Sequence, residues 1–261
     1  MEIFMGKKDS TKTRVEPLMD YLGNDVDKIN SFLSMFDCKV QITDIICKIC
    51  YGKKSHGCPG EKSIPAPVKL LRWYIENSDQ LDQSSNEQDK NGHPSQKTID
   101  KRESFFKRDE KLVKEANEAI RKLEKKNKEN YTYGYSWYIF EGKTNPDIYI
   151  KTESAIFVGE AKRTEPKLTG SVKWYKQRDQ LIRHVDSVFD SGKKVYSFFI
   201  LENKKYANLE KHGKDFEYYK KSLPHRTDSE IKEIMKTYIG CITWCELAQK
   251  FPELKEKFSL N

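Results

Sequence analysis

The 261 residues are 36% hydrophobic and 34% charged, and Lys plus Arg outnumber Asp plus Glu by 48 to 40, a net charge of +8. That is enough apolar material for a core in one large domain or two modest ones, and the positive balance suits a polyanion such as nucleic acid without demanding one. No run approaches the roughly eighteen consecutive apolar residues of a membrane span, and MEIFMGKKDS lacks the apolar centre of a signal peptide, so an intracellular, cytoplasmic protein with no membrane partner is expected.

In chain order, VDKINSFLSMF, QITDIICKIC and PVKLLRWYIEN each carry apolar residues at helical spacing, which predicts a small, mainly helical N-terminal unit over residues 1–80. The polar stretch that follows, over 81–98, reads as a linker or surface loop and sets residues 99–261 apart as a second domain. Asp100 to about Lys126 is expected to be one long helix, with Phe105, Leu112, Val113, Ala116, Ala119, Ile120 and Leu123 on one face. Three strands are predicted next, in YGYSWYIFEG, PDIYIKT and SAIFVGEAK. SVKWYKQRDQLIRHVDSVFDSG is expected as a helix ended by Gly192, KKVYSFFILEN as a buried strand, TDSEIKEIMKTY as a helix, and IGCITW and CELAQKF as a last strand and helix.

The chemistry concentrates in PDIYIKTESAIFVGEAK. Side chains two apart on a strand share a face, so Glu160 and Lys162 point together, and a hairpin would bring Asp147 to them from the adjoining strand. One lysine balances only one of the two acids. Two carboxylates so close repel unless one takes a proton or a cation lies between them, and Mg²⁺ is the usual hard cation for carboxylate oxygens together with a substrate phosphate. Asp147 and Glu160 are therefore candidate metal ligands and Lys162 a candidate catalytic residue for phosphodiester hydrolysis; the alternative is a solvated edge hairpin.

The motif Pro146-Asp147, twelve residues, then Glu160-Ala161-Lys162, in this order of helices and strands, resembles the PD-(D/E)XK nuclease superfamily over about Asp100 to Leu201. The resemblance implies an α/β, restriction-endonuclease-like core of helix, three strands, helix and strand. It implies a Mg²⁺-dependent endodeoxyribonuclease with one or two ions per site, DNA as partner, and in many such enzymes a homodimer. A type II restriction endonuclease is the leading expectation; a structure-specific repair or defence nuclease and a non-catalytic DNA-binding protein on the same fold are the alternatives. Members often add an acid from the preceding helix, for which Asp109 is the candidate, unless it pairs with a lysine or caps the helix. Some families place a glutamine on the helix after the motif against the catalytic lysine. Gln177 is taken as its match, with His184 on the same face either functional or a buried polar residue satisfied by backbone.

Arg163, Lys167, Lys173, Lys176 and Arg178 crowd the segment beyond the motif, where they could meet a nucleic-acid backbone or form a solvated basic face. Tyr131, Tyr133, Tyr135, Trp137 and Tyr138 could stack on bases or pack in a core. In a reducing compartment the six cysteines read as thiols or metal ligands. Cys47, Cys50, His56 and Cys58 make a candidate structural Zn²⁺ site, although Cys47 and Cys50 also continue the apolar period of Ile42, Ile46 and Ile49 as core thiols would. Cys241 and Cys245 read as packing residues.

Overall fold

The computed structural model describes residues 11–37, 39–50, 64–82, 95–125, 141, 143–163, 170–172, 175–206 and 208–259. Its centre is a five-stranded mixed sheet in the order β1-β2-β3-β6-β7, formed by Cys47–Cys50, Ile148–Lys151, Ala155–Ala161, Lys194–Leu201 and Tyr238–Thr243. A separate hairpin, β4 (Gly170–Val172) with β5 (Tyr175–Asp179), stands between β3 and the helix α6 (Gln180–Phe189). The β1/β2 and β2/β3 pairs are antiparallel, while β3/β6 and β6/β7 are parallel. Parallel neighbours need a crossover connection. Here α6 lies between β3 and β6, and α7 (Phe216–Ser222) with α8 (Asp228–Met235) lies between β6 and β7.

β3 is buried along its whole length, so both faces of the sheet must be covered. Ile156 and Val158 pack with Ile182, Val185 and Val188 of α6 and with Tyr219, Ile231 and Ile234 of α7 and α8. Phe157, with Ile148, Ile150, Phe198 and Ile200, packs on the other face against α1 (Glu16–Leu22), α2 (Val26–Leu33), α9 (Trp244–Lys250) and α10 (Leu254–Lys257). The N-terminal segment is therefore part of the central core rather than a unit standing apart. The rings of Phe32 and Phe36 lie 5.7 and 4.6 Å from that of Phe198 on β6, and β1 extends the sheet itself.

Gly159 sits where the core leaves no room for a side chain. A Cβ there would fall 2.5 Å from Phe198 Cε2 and 3.1 Å from Ile148 Cβ. Gly159→Ala should lower stability by about 1–3 kcal/mol through overpacking, read from the midpoint of a urea unfolding curve.

Several expected elements differ in detail. QITDIICKIC is irregular up to Ile46 and then forms β1, where Cys47–Cys50 pair with the open edge of β2. The long helix is two helices, α4 (Gln96–Phe106) and α5 (Glu110–Lys125). The break falls where Arg108 takes a positive φ of 61° and Asp109 starts a new helix, its Oδ1 accepting from the Leu112 amide at 3.0 Å. α5 buries Leu112, Ala116, Ala119 and Ile120 against Leu70, Leu71, Tyr74 and Ile75 of α3 (Val68–Glu76). In the helix expected from Ser171 to Gly192, the first half is the β4/β5 hairpin, and only Gln180–Phe189 is helical, capped by Asp179 through the Ile182 amide at 2.9 Å. The expected linker is ordered at both ends: Leu81 is buried and α4 begins at Gln96. Of the tyrosine-rich strand expected over 133–142, Glu141 alone is among the described residues.

A buried ionic network fixes β5 and α6 to the segment before β2. Arg178 is fully enclosed, its Nε 3.0 Å from Glu141 Oε2, its Nη2 2.6 Å from Asp186 Oδ2 and its Nη1 donating to the Ser222 carbonyl at 3.1 Å. Glu141 also accepts from Tyr74 Oη at 3.0 Å and Arg183 Nε at 2.6 Å, and Asp186 accepts from Arg226 Nε at 2.8 Å. Burial acts to raise the Asp186 carboxyl, but His225, Arg178 and Arg226 outweigh it and hold that carboxyl far below the usual range.

Candidate active site

The hairpin register builds the site. Ile148 stands opposite Gly159, so Asp147, just before β2, comes level with Glu160. β3 continues beyond the last β2 pairing and leaves the Ala161 amide on that side without a strand partner. Asp147 Oδ2 accepts it at 2.8 Å. On the opposite edge the Lys162 amide donates to the Ile200 carbonyl at 2.9 Å, and the Lys162 carbonyl accepts from Trp244 Nε1 at 3.0 Å, so the backbone is held from both sides.

Lys162 and Glu160 are both buried, with Nζ 2.7 Å from Glu160 Oε1 and 3.3 Å from Gln180 Oε1. His184 lies on the other side of the same carboxylate, its Nε2 3.0 Å from Glu160 Oε2 and its Nδ1 2.7 Å from Thr144 Oγ1. Thr144 is held by reciprocal backbone hydrogen bonds with Ile64 at 2.8 and 2.9 Å. The expectation that Asp147, Glu160 and Lys162 share one space is met by this geometry.

The electrostatics follow from burial. The Asp147 carboxyl is raised well above its ordinary value, first by desolvation and then by the charge of Glu160. Glu160 is raised as well by burial, with Lys162 opposing the shift and Asp179 adding to it. Burial pushes His184 down to about 3, which makes it a neutral imidazole at physiological pH. With Glu160 anionic, its Nε2–H donates to the carboxylate and its Nδ1 accepts from the Thr144 hydroxyl.

An acid whose folded pKa is raised binds more protons folded than unfolded, so the metal-free protein loses stability as pH rises from the ordinary carboxylate range through the raised value. Asp147→Asn removes that penalty and keeps an oxygen to accept from Ala161. It should therefore raise the urea midpoint of the metal-free protein at neutral pH, with a smaller gain at pH 4. A midpoint lowered at neutral pH would show that the ionised carboxylate is stabilising.

Other expected site residues are placed elsewhere. Gln177 is exposed on β5, before the helix starts, and Gln180 is the glutamine that reaches Lys162. Gln177 shares the His184 face only if the helix reaches back over the hairpin, whereas α6 begins at Gln180. Asp109 is exposed and caps α5, which removes it from the carboxylate pair. Arg178 is enclosed in the ionic network and Arg163 is buried with its Nη1 2.6 Å from Thr13 Oγ1, so neither presents a basic surface to a polyanion; Lys176 is exposed and ion-paired with Asp82. Lys167, Lys173, His56 and Cys58 lie outside the described residues, and Cys47 and Cys50 are the two ends of β1.

Three contributors were missed in the sequence. Asp179 and Glu141 are charges buried by tertiary contacts, and Asp179 does carry a signal, an acid immediately before an apolar helical run. Thr144 has none.

The donor set suits a hard cation. It offers two carboxylates with lone pairs to spare and no thiolate. Among the described residues no three His, Cys, Asp or Glu side chains gather at metal-ligand spacing, but Mg²⁺ is commonly bound through one or two carboxylates, waters and substrate phosphate oxygens. No family model, curated protein or solved structure matches the chain. The site geometry must carry the functional argument alone.

Proposed function

We propose that the protein is a Mg²⁺-dependent endodeoxyribonuclease of the PD-(D/E)XK type, with Asp147 and Glu160 as the residues that would hold the ion and Lys162 as the catalytic amine. The observation that carries this reading is the meeting of two carboxylates, Glu160 buried and Asp147 half-buried, with one ammonium at the end of β3, the ammonium 2.7 Å from Glu160. A bound divalent ion supplies positive charge to the phosphoryl oxygens and acidifies a water.

The chain's own groups do the rest. Asp147, fixed by the Ala161 amide, and Glu160, fixed between Lys162 and His184, meet at the end of β3. Lys162 carries three donors and uses Glu160 and Gln180 as acceptors, so it can turn a proton toward an attacking water or a phosphate oxygen without leaving its place. Burial strengthens each of these interactions by lowering the local dielectric. The restriction-endonuclease role belongs to the same proposal, as the sequence-specific form of this activity.

Supercoiled plasmid incubated with Mg²⁺ should be converted to nicked and linear forms, and EDTA should stop the conversion. Sequencing the ends then divides the readings: one recurrent sequence supports a restriction enzyme, and ends with no common sequence assign a nonspecific or structure-specific nuclease. Tight DNA binding with no cleavage under Mg²⁺ or Mn²⁺ would leave the non-catalytic reading.

A further inference from the structure

We propose that His184, backed by Thr144, is the positioning residue that holds Glu160 for the divalent ion. The inference rests on the metal-dependent reading above and deepens it.

Each oxygen of Glu160 faces a nitrogen donor of a different kind, and its carboxyl also meets that of Asp147. Oε1 faces Lys162 Nζ at 2.7 Å and Oε2 faces His184 Nε2 at 3.0 Å. The lysine is a divided partner, since its Nζ also lies 3.3 Å from Gln180 Oε1 and, in the proposed reaction, must serve water or phosphate. The imidazole has no such second task. Its far nitrogen is 2.7 Å from the Thr144 hydroxyl, Thr144 is tied to Ile64 through both backbone groups, and the ring is buried. The helix that carries it is fixed by the Asp179 cap and by the Asp186 contact with Arg178. A chain of rigid contacts thus runs from Ile64 through Thr144 and His184 to one carboxylate oxygen.

The choice of group follows from what Glu160 would have to do. An imidazole N–H at Oε2 orients the carboxylate, as partners behind metal ligands commonly do. The carboxylate also selects the tautomer, because the alternative would set a nitrogen lone pair against an anionic oxygen.

The test is calorimetric titration of Mn²⁺ into DNA-free protein, with thermal unfolding run beside it, for wild type, His184→Leu, His184→Gln and Thr144→Val. His184→Leu should bind Mn²⁺ roughly tenfold to a hundredfold more weakly. His184→Gln, whose amide can donate from near the ring Nε2 position, should recover most of the affinity, and Thr144→Val should lose several-fold.

Wild-type affinity in a folded His184→Leu protein overturns the proposal. So does a loss that His184→Gln fails to restore although both variants melt normally, since that would be a packing role. Should His184→Leu not fold, Thr144→Val decides: unchanged affinity overturns the proposal and weakened affinity supports it. Absence of Mn²⁺ binding in wild type, identical to Asp147→Asn, would sink the metal reading and this inference together, and is recognised by all variants behaving alike.

Discussion

Lys162→Ala should reduce the single-turnover rate of DNA cleavage by about 10²–10³-fold at saturating Mg²⁺, the usual cost of removing one preorganised donor from a site of developing negative charge. Metal affinity should behave differently. The ammonium 2.7 Å from Glu160 competes with any cation for that carboxylate, so its removal should leave Mn²⁺ binding unchanged or tighter. A fall in rate with retained metal binding is the signature of a group that acts on the reacting phosphate rather than on the ion. Equal losses in both would reassign Lys162 to holding the site together, and an unchanged rate would remove it from catalysis. Gln180→Leu offers a graded comparison: it takes away the weaker acceptor of the ammonium, at 3.3 Å, and should cost less than the alanine substitution.

The largest stability effect is expected at Arg178. Its guanidinium sits between Glu141 and Asp186, all three side chains fully buried, and Arg178→Ala would leave two anionic groups short of a partner they cannot replace with water. Removing one member of such a buried network costs about 3–5 kcal/mol, a large share of a typical domain's stability, and should be read from urea unfolding at neutral pH. Acid should narrow the difference, because Asp186 is held far below the ordinary carboxylate range by its neighbours in the wild type and recovers a higher value once Arg178 is gone. Arg178→Lys should fall between, since a single ammonium cannot span both acids with the planar fork. A loss under about 1 kcal/mol for Arg178→Ala, the size expected of an exposed pair, would mean that water reaches these charges in solution.

This network also bears on the site. Arg178 is the penultimate residue of β5, Asp179 ends it and caps α6, and Gln180 and His184 follow on that helix, so loosening Arg178 should displace the two groups that contact Lys162 and Glu160. Loss of stability and loss of activity are therefore expected together at Arg178, whereas Lys162→Ala should cost activity with the fold retained. The contrast separates a structural charge from a catalytic one.

Local pattern was sufficient for some of this. Alternation and β-branching marked β2, β3 and β6, and the apolar stripe marked the lower half of α6; the spacing of Asp147, Glu160 and Lys162 put them on one face as soon as the two strands were paired. Where two periods fit the same short run, the local reading failed. QITDIICKIC satisfies a helical stripe, and SVKWYKQRDQ runs without a break into a real helix, so only pairing with β2 and the contacts of Arg178 and Tyr175 decide for strands. A helical reading of that run sets Gln177 toward Lys162 and Arg178 on the surface, whereas the strand gives that place to Gln180 and encloses Arg178.

What the sequence by itself determined is therefore the α/β character, the main strands and the three charged residues, because these depend on side-chain periodicity and on chemistry within a few positions. Only the tertiary structure decided that α1 and α2 cover the sheet, that Asp109 is a helix cap, and that His184 and Thr144 reach Glu160. The reason is one of range. A hydrogen bond between residues 40 apart, as between Thr144 and His184, leaves no mark in either neighbourhood, and the burial that makes it strong is a property of the whole packed chain.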